Sequence, residues 1–343
     1  MSLHVFEGFI LILAKNVLTM HTIADLQGLF LKHLQENPFN KQPDNLYQPI
    51  NYIMNLKGKR LRPTLTLLTA ELFDESYERA LPAAMAVEIF HNFSLVHDDI
   101  MDEAPLRRGQ ETVHKKWNLN TGILSGDAML ILAYQYFDIY EPKVYKKLAK
   151  LFTRTALEVC EGQQLDVDFE TRNDVTVEEY LKMIAYKTAV LVAAAMRMGA
   201  IVAKADKEDG ILMYQFGLNL GIAFQLQDDY LDAFGDPDLF GKQVGGDIIE
   251  NKKTYLYLKA LENATSEDQN TLLELFNSKP ENPEEKIKTV RNLFIKTGSD
   301  KATQLAIQEY TEKALSVLDS INLSNKRKEI LIAFANQLMG RES

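Results

Sequence analysis

Aspartate recurs in the spacing Asp-Asp-x-x-Asp at Asp98-Asp99-Ile100-Met101-Asp102 and again at Asp228-Asp229-Tyr230-Leu231-Asp232. On a helix the first and last Asp of each copy stand about one turn apart on one face, so their carboxylates project together. Carboxylates gathered without counter-charge repel one another and take up protons, so a cavity lined by both copies needs a cation. Oxygen-only ligands on rigid helices select Mg²⁺, which takes one or two carboxylates, keeps several waters and leaves positions for substrate phosphate oxygens. Carboxylate, metal and diphosphate read as one assembly. Decoration of a solvated face is the weaker reading, because acids at a helix C-terminus oppose the helix dipole.

Cations trail each copy. Arg107-Arg108-Gly109 follow the first, and Lys242, Lys252 and Lys253 follow the second. Forked guanidinium and point-charge ammonium groups bind the diphosphate oxygens that the metal leaves. Upstream, Gly58-Lys59-Arg60-Leu61-Arg62-Pro63 concentrates three cations at a predicted helix start, where free backbone N–H groups also favour an anion. A second diphosphate site follows from that cluster.

The elements that must position these groups are helices. Glycine and proline are sparse, at 17 and 10 in 343 residues, and apolar positions recur at helical spacing nearly throughout. The pattern predicts helices over 61–73, 80–102, 120–140, 143–170, 176–204 and 207–233. A break runs through Gly235, Gly241, Gly245 and Gly246, a helix restarts near Asn251, and helices with polar turns continue to Leu338. No linker separates halves. The expected architecture is all-α, a single-domain bundle of long helices around a central cavity over 20–343. Residues 1–19 are read as a short extension, whose five-residue apolar run over 9–13 is too short to span a membrane.

Composition narrows the function classes. A net charge of −10 argues against a general nucleic-acid or anionic-membrane surface. The single cysteine, Cys160, excludes an intramolecular disulfide framework and a multi-cysteine zinc site, and suits a reducing cytoplasm.

From Gln27 to the C-terminus the chain resembles the trans-isoprenyl diphosphate synthases, or polyprenyl synthetases. Gly58 to Pro63 is similar to that family's first isopentenyl diphosphate motif. Leu95 to Asp102, continuing to Leu106-Arg107-Arg108-Gly109, resembles its first aspartate-rich motif, and Lys187-Thr188 its Lys-Thr pair. Gln225 to Asp232, with Gly235-Asp236-Pro237, Gly241-Lys242 and Asp247 to Lys252, resembles the second aspartate-rich motif. The resemblance implies the isoprenoid synthase fold and a homodimer. It implies that Lys59, Arg62, His91 and Arg108 bind isopentenyl diphosphate, and that Arg107, Lys187, Thr188, Gln225, Lys242 and Lys252 hold an allylic diphosphate (dimethylallyl, geranyl or farnesyl). Asp98, Asp102 and Asp228 become the principal ligands of Mg²⁺, three ions per site, with Asp99, Asp229, Asp232, Gln163 and Asp166 in support. His97 and His114 are read as structural.

The expected chemistry is ionisation of the allylic diphosphate in a dry apolar pocket, then attack by the isopentenyl double bond and loss of a proton. The departed diphosphate is the expected proton acceptor. Counting back from Asp98 by fours gives Ser94 and Phe90 on one stripe, with Phe93 beside them. Ser94 leaves space, while Phe93 and Phe90 fall roughly 7.5 and 12 Å below Asp98 at the helical rise, as a floor for the growing tail. In the resembled family an aromatic residue five before the first Asp marks short-chain enzymes. A C20 product is therefore expected ahead of C15. A terpene cyclase would carry a second metal motif mixing Asn, Ser or Thr and Glu, and would need no isopentenyl site. A non-catalytic regulatory subunit would have lost acids or basic partners, and none is missing.

Overall fold

A computed structural model describes residues 20–236, 244–277 and 283–340, so the extension over 1–19 and Lys242 lie outside the described residues. Helices dominate. In chain order the first are α1 (Ile23–Glu36), α2 (Asp44–Asn55), α3 (Leu61–Leu72) and α4 (Tyr77–Met101). A small hairpin, β1 (Leu106–Arg107) and β2 (Gln110–Glu111), precedes α5 (Val113–Lys116), α6 (Leu119–Gln135) and α7 (Pro142–Thr171). Then come α8 (Val177–Ile184), a π-helical turn (Ala185–Ala189), α9 (Val190–Val202) and α10 (Lys207–Phe234). The short α11 (Gly246–Ile249), α12 (Tyr255–Asn263), α13 (Ser266–Phe276), α14 (Pro283–Thr297), α15 (Ser299–Val317) and α16 (Asn325–Met339) complete the bundle.

The expected all-α bundle is present, and α9 lies at its centre. Most of its residues are buried, and it packs against α3, α4, α7 and α10. Small residues make that proximity possible. A Cβ at Gly199 would stand 2.3 Å from the Thr66 carbonyl oxygen of α3, and one at Gly221 of α10 would stand 2.8 Å from Ala189 Cα. Backbones that close leave no room for a methyl group, so alanine at either position forces helices apart. The stretch Val177–Val202 is long and apolar enough to cross a membrane, but 67% of its most apolar 18-residue window is buried inside this bundle. Core helices of this kind pass a length and hydropathy test for the same reason that they fill a core.

Two differences from the sequence reading bear on the site. The single helix predicted over 176–204 is instead α8, a π-turn and α9. The turn sits where α7 approaches most closely: a Cβ at Gly162 would lie 2.2 Å from Lys187 N. Helical periodicity does not register one extra residue per turn, and π-turns concentrate at functional positions. The second difference is the hairpin, where Arg108 and Gly109 both have positive φ, 54° and 75°. A two-residue loop with positive φ at both positions has the sign pattern of a type I′ turn and matches the twist of the strands it joins.

Candidate active site

The first acidic motif ends α4. Asp102 caps the helix, Glu103 turns left-handed at φ 50°, and Glu103 N and Ala104 N donate back to the Ile100 and Asp99 carbonyl oxygens at 3.3 and 2.9 Å. These paired bonds form a Schellman stop, which reverses the chain into the hairpin. The reversal returns Arg107 over its own motif. Its Nε and one terminal nitrogen donate to Asp99 Oδ1 at 2.8 and 2.5 Å, and that nitrogen stands 3.5 Å from Asp98 Oδ2. On the opposite side Lys187, presented by the π-turn, bridges Asp166 of α7 at 2.5 Å and Asp98 Oδ1 at 3.3 Å. Burial alone would lower the Lys187 ammonium, but Asp166 and Asp98 together raise it, so it stays charged.

The second motif, at the end of α10, is held differently. Asp229 is buried and accepts hydrogen bonds from the Tyr180 hydroxyl and from Gln225 Nε2, the latter at 2.9 Å. Gln225 in turn accepts from Thr188 Oγ1 at 3.1 Å. Burial and the nearby Asp247 push the Asp229 carboxyl well above the ordinary range, against the pull of Tyr180 and Gln225. Asp232 accepts from Asp247 N at 3.0 Å through its side chain and from Gly245 N at 2.6 Å through its carbonyl oxygen. That carboxylate therefore anchors the start of α11. Lys252 pairs with Glu250 at 3.0 Å and lies 3.8 Å from Asp247, and these acids raise it although burial alone would lower it.

Both motifs open on one cleft of about 1160 Å³, bordered by Asp102, Asp166, Lys187, Thr188, Gln225, Asp228, Asp229, Asp232, Asp247 and Lys252. The donors fit a hard divalent cation. They are oxygens, Asp98 Oδ1 is buried without a hydrogen bond, and burial in the cleft together with Asp98 pushes Asp102 up to about 6. Among the described residues no three Asp, Glu, His or Cys side chains already converge to ligate a metal. Arg107 and Lys187 supply the counter-charge to Asp98 in this arrangement.

A second cavity, of about 300 Å³, is bordered by Lys57, Lys59, Arg62, His91 and Arg108 at its polar end and by Leu65, Val192, Phe224, Phe334 and Leu338 at its apolar end. Arg62 NH1 meets His91 Nε2 at 3.3 Å. Burial, then Arg62 and Arg108, hold His91 well below its usual pKa, so the ring is neutral and Arg62 can donate to it. The four residues assigned to isopentenyl diphosphate thus come together from α3, α4 and the loops beside them. Adjacent arginines part company at the hairpin: Arg107 serves the acidic cleft, and Arg108 turns to the cationic cavity, donating to the Leu56 carbonyl oxygen at 3.4 Å.

The basic clusters are corrected in two places. Arg60, one of the three cations expected at the anion site, is buried and bound to Glu88 and to the Met54 and Leu56 carbonyl oxygens. Lys253 borders the cleft, but its ammonium donates to the carbonyl oxygens of Phe169, Glu170 and Arg172 and closes the C-terminus of α7. Tyr180 was not visible as a site residue. Only its position on the buried face of α8 marks it, and that face reads as core. Gln163, assigned to the site, has its amide 3.8 Å from Met101 Sδ. Phe90 is fully buried, with its ring centroid 5.4 Å from Phe93 and 5.1 Å from Phe152, and neither Phe90 nor Phe93 borders the two cavities. Ser94 Oγ turns back to the His91 carbonyl oxygen at 2.8 Å.

The sequence model of the polyprenyl synthetase family matches residues 43–293. The geranylgeranyl diphosphate synthase of Methanosarcina mazei is 37% identical over 303 residues, covering 88% of this chain and 91% of that protein. A crystal structure of a geranylgeranyl pyrophosphate synthase superposes with a TM-score of 0.90 at 54% identity, covering 94% of this chain and all (100%) of the other. The polyprenyl synthase of Caulobacter crescentus, solved with calcium and isoprenyl diphosphate, superposes with a TM-score of 0.82 at 27% identity, covering 95% of this chain and 99% of that one.

Proposed function

The chain belongs to the polyprenyl synthetase family, and on that premise we propose the reaction it performs. It condenses isopentenyl diphosphate head-to-tail with an allylic diphosphate to give a short-chain all-trans prenyl diphosphate. The observation that carries this reading is a pair of cavities of opposite character flanking the C-terminal half of α10. The acidic cleft suits a metal-bound allylic diphosphate, and the cationic cavity suits a second diphosphate without a metal.

Asp98, Asp102 and Asp228 would hold Mg²⁺, three ions per site, and the metal would supply positive charge to neutralise the leaving diphosphate. Calcium beside isoprenyl diphosphate in the Caulobacter relative supports a divalent cation here. Arg107, Lys187, Thr188, Gln225 and Lys252 orient the allylic diphosphate, and Asp166 keeps Lys187 charged. Lys59, Arg62, His91 and Arg108 fix the isopentenyl diphosphate, whose double bond attacks C1. The proton then lost passes to the departed diphosphate.

Product length, C20 ahead of C15, rests on the aromatic plug beneath the first motif. Phe90 and Phe93 are backed by Phe152, Tyr134 and Phe137, with neighbouring ring centroids 4.8 to 6.5 Å apart. Apart from the tilted Phe90–Phe93 pair these rings meet edge to face, and such packing resists displacement by a flexible prenyl tail. Leu119, Ile123, Leu124 and Ile131 are exposed along α6, an apolar stripe suited to a second copy of the chain in a homodimer. The lone Cys160 supports residence in the cytoplasm.

Purified protein incubated with Mg²⁺, isopentenyl diphosphate and dimethylallyl, geranyl or farnesyl diphosphate should yield elongated products resolvable by chain length. No condensation in that assay refutes the reading. Phe90→Ala and Phe93→Ala should lengthen the product, and unchanged products from both variants would remove the floor.

A further inference from the structure

Arg60 borders the cationic cavity, yet its charge is spent inside the protein. Its side chain is 2% exposed, as is that of Glu88, to which it is paired. One terminal nitrogen donates to the Met54 and Leu56 carbonyl oxygens, both at 2.6 Å. These carbonyls belong to the end of α2, so Arg60 stops that helix and ties it to α4 through Glu88.

We propose that Arg60 and Glu88 form the positioning pair of the isopentenyl diphosphate site. The pair sets loop 56–60 and the start of α3 so that Lys59, Arg62 and Arg108 converge on one anion, and the inference rests on the isopentenyl reading of this cavity. Three observations carry it. Arg60 has a φ of 45°, a left-handed turn that sends its side chain inward between two cations that border the cavity. The Leu56 carbonyl oxygen accepts from both Arg60 and Arg108, and a Cβ at Gly58 would lie 2.7 Å from Arg108 NH1, so the loop and the Arg108 guanidinium are in register with each other. Glu88 also accepts from Asn92 at 3.0 Å and stands one turn before His91 on α4, which locks the loop to the helix that presents the imidazole. Glu88 further neutralises Arg60, so that its charge is spent on the protein and not on a diphosphate.

The test separates positioning from simple stability. A buried ion pair replaced by apolar residues of similar volume often keeps the fold, so the double variant Arg60→Met/Glu88→Leu should retain its melting temperature to within a few degrees. It cannot hold the Leu56 and Met54 carbonyls. Its KM for isopentenyl diphosphate should rise about tenfold or more from the lost charge-assisted bonds, while kcat and the KM for farnesyl diphosphate stay within about twofold. Calorimetric titration with isopentenyl diphosphate alone should show the same weakening. A double variant with wild-type isopentenyl KM overturns the proposal, as does one in which both KM values and kcat change together. Should the double variant fail to fold, Arg60→Lys, which keeps the charge but not the fork, must show the isopentenyl-specific rise or the proposal fails. A wild-type protein that condenses nothing refutes the proposed reaction and not this pair.

Discussion

Asp98 and Asp99 are held by cations, Arg107 and Lys187, whereas Asp229 is held by the neutral donors Tyr180 and Gln225. The third residue of each copy differs as well. Asp102 opens on the cleft and is pushed up to about 6, while Asp232 spends one oxygen anchoring α11. Identical spacing has thus been given two electrostatic roles. The first copy is held by the cationic partners Arg107 and Lys187, which a metal and a substrate diphosphate can displace. Burial raises the central carboxyl of both copies, but Arg107 opposes it at Asp99 while the nearby Asp247 adds to it at Asp229, so that Asp229 lies well above the ordinary range.

Four experiments press on that contrast. Asp98→Asn should cost about 10³-fold in kcat, since it removes charge stabilisation that is realised as the diphosphate departs, and chelation of divalent metal should abolish turnover until Mg²⁺ is restored. Lys187→Met should cost about 10²-fold in kcat and also leave Asp98 and Asp166 without their shared counter-ion. Asp229→Asn should lose about tenfold or less, because an amide resembles the neutral carboxyl that burial favours there. Loss at Asp229 equal to that at Asp98, in steady-state kinetics, would erase the distinction between the copies.

The smallest effect is a pH dependence. The folded carboxyl of Asp102 titrates near 6 against 3.8 for an ordinary Asp, so the metal-free fold binds the proton more tightly than the unfolded chain does. Its ionisation then costs stability as pH rises from 3.8 through 6, and that cost is absent below 3.8. Metal-free wild type should therefore fall behind Asp102→Asn in melting temperature as pH rises from 5 to 7. A difference that stays flat over that interval would mean that the cleft does not penalise this charge.

Much of this was legible because it is local. Carboxylates four residues apart share a helix face whatever the helix packs against, and the cationic neighbours within ten residues of the first motif follow from chain continuity. The roles within a cationic run were not legible. Lys59, Arg60 and Arg62 look alike in sequence, but a left-handed turn at Arg60 and two open carbonyls at the end of α2 turn one of them inward. The π-turn presenting Lys187 was equally hidden, because it adds a residue without disturbing the apolar pattern on either side. Tyr180 reads as core and is core, except for one hydroxyl that meets Asp229 across 49 residues.

The sequence by itself determined the helical class, the two carboxylate faces and the set of cations available to them, since residue type and spacing suffice for each. Tertiary structure decided which cation meets which anion. Arg107 and Arg108 are neighbours in the chain, yet one pairs with Asp99 and the other borders the opposite cavity. Coulomb and hydrogen-bond energies depend on separations of a few ångströms, and those are set by the Schellman stop, the hairpin and the close approach of α7 at Gly162, not by distance along the chain.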